Sequence, residues 1–174
     1  SHGDEAEWFE FKENFNKPDD IGEYISALSN AAVMAHEPFG YLIWGVHNTT
    51  HDFTDTKFNY NKDINNEPFQ HYLSRNLSPA IYFRFCEDEI EGKRVVVLII
   101  PAARIVPTEY KDVRFIRVGS SKEKLKRYPD REAVLFKKLL EKENPTDEWE
   151  TQISKYKIGN VDKSILKDYL RKAK

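Results

Sequence analysis

Residues 39–48, with the sequence FGYLIWGVHN, limit the folds open to this chain more than any other stretch. Residues 41–44 form an unbroken apolar run with a glycine on each side. Such a run predicts a strand that is buried on both faces, and Gly45 indicates a bulge or a close backbone approach near its end. The polar residues 47–52 follow. They are either an ordinary solvated loop or a site presented at the exit of a rigid strand.

Composition limits the class of protein. The chain has 174 residues, a formal net charge of -2 and a sequence pI near 6.2. This length predicts one domain with a substantial core, and the charge means that any nucleic-acid role must depend on local basic residues. The single cysteine, Cys86, allows neither an internal disulfide nor a zinc site built on thiolates, and it fits a reducing, cytoplasmic location. No apolar run approaches the roughly 18 residues of a membrane span, so no membrane partner is expected.

Hydrophobic periodicity and turn residues predict an α+β fold, in which a mixed β-sheet carries flanking helices. Helices are predicted at residues 21–35, 67–76 and 130–143. The apolar stripe predicted for the last helix is Ala133, Phe136, Leu139 and Leu140. Strands are predicted at residues 8–12, 41–44, 80–88, 94–100, 107–110 (as a short edge strand) and 113–118. In the first of these, alternation places Phe9 and Phe11 in the core and Trp8 on the opposite face.

The expected domain covers residues 1–144, of which residues 1–3 are typical of an expression scar. Asn144 and Pro145 interrupt the pattern. Residues 145–174 are expected to form a linker and a short helix that lead to a further C-terminal region.

The common catalytic motifs do not occur in this sequence. It contains neither G-x-x-x-x-G-K-[ST] nor G-x-G-x-x-G, so no ATP site is predicted. His47 and His51 lack an evident third ligand, and residues 119–121 do not supply the G-x-S-x-G turn of a serine hydrolase. The candidate functional residues are therefore the local clusters of charged side chains.

Residues 111–127 carry the strongest local charge, +5, which is seven basic residues minus Asp112 and Glu123. The basic residues are Lys111, Arg114, Arg117, Lys122, Lys124, Lys126 and Arg127. The turn at residues 119–121 offers backbone N–H groups and the hydroxyls of Ser120 and Ser121 to a phosphate oxygen. Interleaved aromatic residues (Tyr110, Phe115 and Tyr128) are candidates for stacking on bases. The alternative is an ordinary solvated surface above core aromatic residues.

Two carboxylates, Glu5 and Glu10, lie at the mouth of the first predicted strand. Carboxylates that meet at strand ends can hold Mg²⁺ or Mn²⁺ for phosphodiester cleavage. Two acidic residues close together are more often a plain surface feature, so the residues alone establish no metal site.

Three motifs in the first part of the chain resemble the opening of the Schlafen AlbA_2 domain, formerly called the divergent AAA-4 family. They are Glu5-x-x-x-x-Glu10-Phe11-Lys12, residues 26–30 (SALSN) and residues 40–46 (GYLIWGV). Residues 95–101, 107–110 (PTEY) and 115–121 (FIRVGSS) resemble its second half, and the last is the most specific. The resemblance runs in order from about residue 5 to residue 140.

The resemblance implies an AlbA_2-like α+β fold and a role with DNA or RNA. Bacterial members are described as DNA-binding transcriptional regulators, and some animal members are RNases that use two glutamates and an aspartate. Glu5 and Glu10 match the two glutamates by spacing, but His47 and Asn48 stand where the aspartate falls. Neither offers the anionic oxygen that a hard cation prefers. Animal members pair two such lobes in one chain, so the single lobe here implies a homodimer.

The first functional hypothesis is therefore a nucleic-acid-binding domain of a cytoplasmic bacterial transcriptional regulator. The expected phosphate contacts are Lys12, Arg114, Arg117, Ser120, Ser121, Lys122 and Lys124. The alternative for Arg117 is a structural role in which it braces the turn at Gly119. The second hypothesis is a metal-dependent endoribonuclease with Glu5 and Glu10 as catalytic residues and Mg²⁺ or Mn²⁺ as cofactor. The third is a protein-interaction or dimerisation module. The missing third acidic residue favours a binding role over an enzyme.

Overall fold

Helix α1 packs between two β-sheets and organises the fold. The computed structural model describes residues 7–141, which contain the helices α1 (Pro18–Met34), α2 (Phe69–Arg75) and α3 (Pro129–Glu141). The strands are β1 (Phe9–Lys12), β2 (Phe39–Trp44), β3 (Asp63–Ile64), β4 (Glu67–Pro68), β5 (Leu77–Ser78), β6 (Arg84–Ile90), β7 (Lys93–Pro101), β8 (Glu109–Tyr110), β9 (Val113–Val118) and β10 (Ser121–Lys124). A 3₁₀ turn, Leu125–Arg127, joins β10 to α3. Within this described part, no helix is long and apolar enough to cross a membrane.

The described strands form a mixed sheet, an antiparallel sheet and a small ribbon. The first sheet has the order β1-β2-β7-β6, and its β1–β2 pair is parallel while the others are antiparallel. The second has the order β10-β9-β8-β5 and is antiparallel throughout, and β3 pairs with β4. The predicted α+β class with a mixed sheet is confirmed. The predicted linker and helix at residues 145–174, like the scar at residues 1–3, lie outside the described residues.

The buried strand predicted at residues 41–44 is the centre of the first sheet. Strand β2 has β1 on one side and β7 on the other, and Leu42 and Trp44 join the apolar face of α1 in one core cluster. The helix approaches closely because Gly40 lacks a side chain: a Cβ there would lie 2.6 Å from the carbonyl oxygen of Leu28. Gly45 bends the chain at a φ of 89° where β2 ends.

Polar side chains attach the other side of α1 to the second sheet. Ser26, Ser29, Asn30 and Thr108 are all fully buried. Asn30 donates from Nδ2 to the carbonyl oxygens of Thr108 (3.0 Å) and Phe115 (2.8 Å), and it accepts at Oδ1 from the Thr108 N–H (2.8 Å). Ser26 accepts from the Phe115 N–H at 3.0 Å. Since β8 is too short to pair with Phe115, side chains of α1 satisfy the β9 backbone there.

Tyr110, the last residue of β8, holds the first turn of α1. Its ring is 1% exposed, and a Cβ on Gly22 would lie 2.1 Å from it. Its hydroxyl and that of Tyr72 both donate to Asp19 Oδ1 at 2.7 Å, and Lys111 Nζ lies 2.9 Å from the same oxygen. Burial raises the pKa of Asp19, but the hydrogen bonds from Lys111, Tyr72 and Tyr110 outweigh it and hold that pKa below its ordinary value. Burial and the bond to Asp19 raise the pKa of Tyr110.

Replacing Gly22 by alanine should destabilise the protein, although alanine is the better helix former by roughly 1 kcal/mol. The added methyl group would meet three atoms of the buried Tyr110 ring within 2.5 Å. Overpacking of this kind costs about 1–3 kcal/mol, so we expect a net loss of unfolding free energy in a urea titration. In a Tyr110→Leu background the ring is gone, and the same change should be neutral or stabilising. A stabilising effect with Tyr110 in place would contradict this packing.

Some predicted elements differ from the observed ones. The predicted strand at residues 80–88 begins only at Arg84, and β8 lies between β9 and β5 rather than at an edge. Strands β3, β4, β5 and β10 were not predicted, because they are short and lack apolar alternation. Strands β3 and β4 pair with each other, β10 pairs with β9 directly before it, and β5 pairs with the distant β8.

Two predictions about core residues are wrong. Helix α3 buries Leu135 and Leu139, while Leu140 is 85% exposed and Ala133 is also at the surface. Trp8, predicted to lie opposite the core, is 5% exposed and packs in a cluster with α1 and α3. The reason is that β1 is covered on both faces, so alternation does not separate core from solvent there.

Candidate nucleic-acid interface

The β9–β10 hairpin positions most of the residues predicted to contact phosphates. Its strands pair so that Lys122 lies opposite Arg117. Gly119 makes the turn at a φ of 59°, a conformation that glycine adopts without strain. Arg117 pairs with Glu10 of β1, and Lys122 pairs with Asp20 of α1. One face of the hairpin therefore points into the molecule, toward β1 and α1.

Arg117 is a buried ion-pair partner rather than a surface residue. Its side chain is 4% exposed, and Nη1 lies 2.5 Å from Oε2 of Glu10, whose side chain is 8% exposed. The guanidinium also donates to the carbonyl oxygens of Phe9 (3.3 Å) and Gly119 (3.4 Å). The sequence predicts Arg117 as a phosphate contact, but its guanidinium is buried against Glu10 instead. Sequence spacing gave no sign of this, because Glu10 lies on a distant strand.

The Gly119 amide of the predicted phosphate-binding turn is also occupied. It donates to Oε1 of Glu7 at 2.8 Å, and Oε2 of the same carboxylate lies 3.3 Å from Nη1 of Arg131. A carboxylate of the chain itself therefore sits where a phosphate oxygen was expected. The hydroxyl-bearing residues of the turn, Ser120 and Ser121, are exposed.

Lys12 and Lys122 come together around the ring of Tyr24. Their ammonium groups lie 5.0 Å and 4.7 Å from its centroid, within the range of a cation–π contact. Lys122 also lies 3.3 Å from both Asp20 and Glu23, and its side chain is 15% exposed. The structure thus brings two predicted residues to one place, but it surrounds them with acidic partners that neutralise their charge.

Arg114 points to the other face of the hairpin. Its Nε lies 3.1 Å from Glu109 and its Nη1 lies 3.8 Å from Glu132 of α3. Its guanidinium also lies 5.2 Å from the centroid of Phe136. Because Arg114 is held by two carboxylates and an aromatic ring, it braces β9 against α3, with its side chain 34% exposed.

Two basic residues of the predicted segment are exposed and have no acidic partner among residues 7–141. Five of its seven basic residues have acidic partners: Lys111, Arg114, Arg117, Lys122 and Arg127. Lys124 and Lys126 are exposed and have no ion pair within residues 7–141. Lys126 was not among the predicted contacts, although its position in the basic segment was the signal that could have found it. We refer to residues 120–127, which begin at the turn and include edge strand β10, as the basic edge.

The carboxylates considered for metal-dependent cleavage do not form a cation site among the described residues. Glu5 lies outside these residues, and the oxygens of Glu10 face Arg117 (2.5 Å) and Lys12 (3.7 Å). His47 turns Nδ1 toward the backbone N–H groups of Thr49 and Thr50. Residues 7–141 contain no group of three His, Cys, Asp or Glu side chains suited to a metal ion. A catalytic role for Glu5 and Glu10, with Mg²⁺ or Mn²⁺ as cofactor, stays a prediction.

Two solved structures are similar to this chain, each at low sequence identity and with a TM-score below 0.5. The DIP2311 protein from Corynebacterium diphtheriae is 20% identical with a TM-score of 0.47, over 69% of this chain and 22% of that chain. The N-terminal domain of a Nitrosomonas europaea protein, described as related to the ATP-dependent DNA helicase RecG, is 22% identical with a TM-score of 0.40, over 68% of this chain and 82% of that chain. This chain thus covers about a fifth of the first structure's length. A search among curated protein sequences found no match.

The comparison with protein families gives a clear assignment. The model of the Schlafen AlbA_2 family matches residues 5–126, which include β1, α1, β2 and the β9–β10 hairpin. The match also covers the sequence motifs at residues 26–30 and 115–121 that hold α1 to the second sheet. The chain belongs to the Schlafen AlbA_2 family.

Proposed function

We propose that this chain is the nucleic-acid-binding module of a bacterial regulator, and that it contacts phosphates through the basic edge. The observation that carries the proposal is the position of Lys124 and Lys126, which are exposed and free of ion pairs within the described residues. Ser120 and Ser121 lie exposed beside them. Lysine and serine side chains are typical donors to phosphate oxygens. Membership of the Schlafen AlbA_2 family supports a role with nucleic acid.

The internal ion pairs support the choice of the basic edge over the rest of the segment. A phosphate that approached Lys122 would have to displace Asp20 and Glu23, and one that approached Arg114 would have to displace Glu109. Lys124 and Lys126 require no such exchange. Lys124 is the last residue of β10, which is paired along its length with β9, and Lys126 lies in the 3₁₀ turn that follows. The backbone of Lys124 is therefore held in place before a ligand binds.

Removing both lysines should weaken binding and reduce its salt dependence. For Lys124→Ala/Lys126→Ala, we expect the slope of log K against log salt to become shallower by about 1.8, since each lost phosphate contact contributes about 0.9 on duplex DNA. Fluorescence anisotropy of labelled duplex DNA at several salt concentrations measures this. The matched control is Lys57→Ala/Lys137→Ala, which removes the same charge from two exposed lysines outside the basic edge.

The control separates a local contact from a general change in charge. Equal losses for the two double variants would mean that net charge alone attracts the DNA, and would contradict a site at the basic edge. An absence of salt-dependent binding by the unaltered protein to duplex DNA, single-stranded DNA and tRNA would contradict the proposed function itself. It would favour the protein-interaction module. The homodimer implied by the family resemblance stays a prediction, and it would double the basic edge across a twofold axis.

A further inference from the structure

The first sheet has an apolar face on each side, but the described helices join only one of them. Val96, Leu98 and Ile100 of β7 pack in the cluster that contains residues of α1 and α2. The alternate residues of β7 point to the opposite side, into a separate cluster that contains no helical residue from the described part of the chain. We refer to this second cluster as the outer sheet face. It consists of Phe11, Phe39, Ile43, Val46, Ile90, Val95, Val97 and Ile99, against which the partly buried Phe9, Tyr41, Phe53 and Cys86 pack.

The outer sheet face is closed to solvent although no described helix covers it. On the two central strands, Ile43 is 3% exposed, Val97 4% and Ile99 6%. The loop after β2 covers one corner, where the ring centroids of His51 and Phe11 are 5.1 Å apart. An uncovered sheet face would leave large apolar side chains in water, so further atoms lie over this one. The exposed fractions are those of a single chain, so a second copy does not cause the burial.

Two parts of the chain lie outside the described residues, and only one of them has side chains suited to an apolar face. Residues 1–6 (SHGDEA) contain a single apolar residue, Ala6. In residues 161–170, large apolar side chains recur at the spacing of one helix face: Val161, Ile165, Leu166, Tyr169 and Leu170. The opposite positions of the same helical pattern carry polar residues, namely Asn160, Lys163, Ser164, Lys167 and Arg171. A short helix with this pattern gains its stability by packing its apolar stripe against another element.

The chain leaves α3 close to the outer sheet face. Leu139 of α3 lies in the cluster against which Phe9 and Tyr41 pack, and these two rings also pack against the outer sheet face. Helix α3 ends at Glu141, so residues 142–160 connect it to the apolar stripe. This connection could span about 60 Å if extended, whereas the four strands of the sheet cover about 14 Å from the first to the last. The stripe can therefore reach any part of the face.

We propose that residues 161–170 pack as a helix across the outer sheet face, with their apolar stripe against Ile43, Val97 and Ile99. The first sheet is then enclosed between two layers, α1 on one side and this C-terminal segment on the other. The match to the family model ends at residue 126, so the segment lies outside the region by which the family is recognised. The outer sheet face is thus an intramolecular docking surface, and the segment keeps it from binding other proteins.

Cys86, the single cysteine of the chain, can report on this cover. It lies opposite Val97 in the pairing of β6 with β7, and Val97 lies opposite Ile43, so the three side chains form one row across the outer sheet face. Burial raises the pKa of the Cys86 thiol to about 11. Because the thiolate is the reactive form, a covered Cys86 should react slowly with an alkylating reagent, and loss of the cover should accelerate the reaction.

The test measures the rate at which N-ethylmaleimide modifies Cys86 in the folded full chain. For Ile165→Asp/Leu166→Asp, we expect a rate at least about tenfold higher, because two carboxylates are not buried against apolar residues without partners. Asn160→Asp/Ser164→Asp is the matched control, since it adds the same charge on the polar side of the pattern and should leave the rate unchanged. Ile165→Ala/Leu166→Ala weakens the contact without adding charge, so its rate should be intermediate.

Three results would overturn the proposal. The first is an equal rate in all four proteins, each shown by circular dichroism to be folded. The second is a rate in the unaltered chain as high as in the urea-unfolded chain, because the face would then be open. The third is a slow rate that increases on dilution together with a dimeric mass by light scattering, which would assign the face to a second copy. If the aspartate variant does not fold, the alanine variant decides between these results and the expected one.

Discussion

Replacing Arg117 by methionine should lower the free energy of unfolding by about 3 kcal/mol or more, because breaking a buried ion pair from one side costs about 3–5 kcal/mol. The change leaves the carboxylate of Glu10, whose side chain is 8% exposed, without Arg117. Lys12, at 3.7 Å, is then its remaining cationic partner among the described residues. The bonds from Arg117 to the carbonyl oxygens of Phe9 and Gly119 are lost as well. Urea titrations of the two proteins followed by circular dichroism would measure the difference.

The double variant Glu10→Leu/Arg117→Met tests whether the unpaired carboxylate of Glu10 causes the loss of stability. Replacing both partners of a buried pair by apolar residues is often neutral or stabilising, so we expect this variant to be more stable than Arg117→Met alone. Lys124→Met is the control for removing a positive charge at the surface, and it should change stability by no more than about 0.5 kcal/mol. If the double variant lost as much stability as Arg117→Met alone, an uncompensated carboxylate would not be the cause.

The same variant distinguishes a structural role of Arg117 from direct contact with nucleic acid. Under conditions where Arg117→Met is fully folded, its affinity for duplex DNA and its salt slope should equal those of the unaltered protein. The guanidinium is 4% exposed and bound to Glu10, so it does not present a charge to a phosphate. A shallower slope in the folded variant would return Arg117 to the interface.

Replacing Asn30 by leucine should destabilise the protein by about 3–5 kcal/mol, since each buried polar group left without a partner costs about 1–3 kcal/mol. Leucine branches at Cγ as asparagine does, but it makes none of the three hydrogen bonds of Asn30. The Thr108 N–H and the Phe115 carbonyl would lose their Asn30 partners, whereas the Thr108 carbonyl would keep Ser26. Chemical denaturation would measure the loss, and hydrogen exchange at the Thr108 amide would locate it.

The exposed Asn48 provides the control for Asn30. Asn48→Leu should change the unfolding free energy by no more than about 0.5 kcal/mol, because the side chain lies in the solvated loop after β2. Faster exchange of the Thr108 amide in Asn30→Leu, without a change in Asn48→Leu, is the expected result. Unchanged exchange at Thr108 would mean that Asn30 does not hold the segment before β8 to α1.

Local patterns in the sequence were sufficient to predict the main helices and strands. The apolar run at residues 41–44 lies within β2, and the alternation on each side of Glu91 and Gly92 corresponds to the β6–β7 hairpin. Pro18 and the two aspartates after it mark the start of α1. These signals concern residues close in sequence, where spacing alone decides which side chains share a face.

The location of the candidate site could be predicted only in part. The sequence identifies the basic segment, its turn and Lys124, but it also predicts Arg114 and Lys122 as phosphate contacts. For Arg117 it leaves open a phosphate contact or a brace of the Gly119 turn, and the structure shows the bond to the Gly119 carbonyl oxygen. Lys122 and its partner Asp20 are 102 residues apart in the chain. No local spacing relates such residues, because their contact arises only when β10 closes against the first turn of α1.

Sequence patterns predict the α+β class, the family, the central buried strand and the segment in which positive charge accumulates. They do not predict which of those charges meet solvent, because that depends on contacts made in the folded chain. Tertiary structure buried Arg117 against Glu10, held Lys122 with Asp20 and Glu23, and left Lys124 and Lys126 exposed. The physical reason is that the charge of a side chain is set by its residue type, whereas its availability to a ligand depends on acidic partners that folding brings from distant parts of the chain.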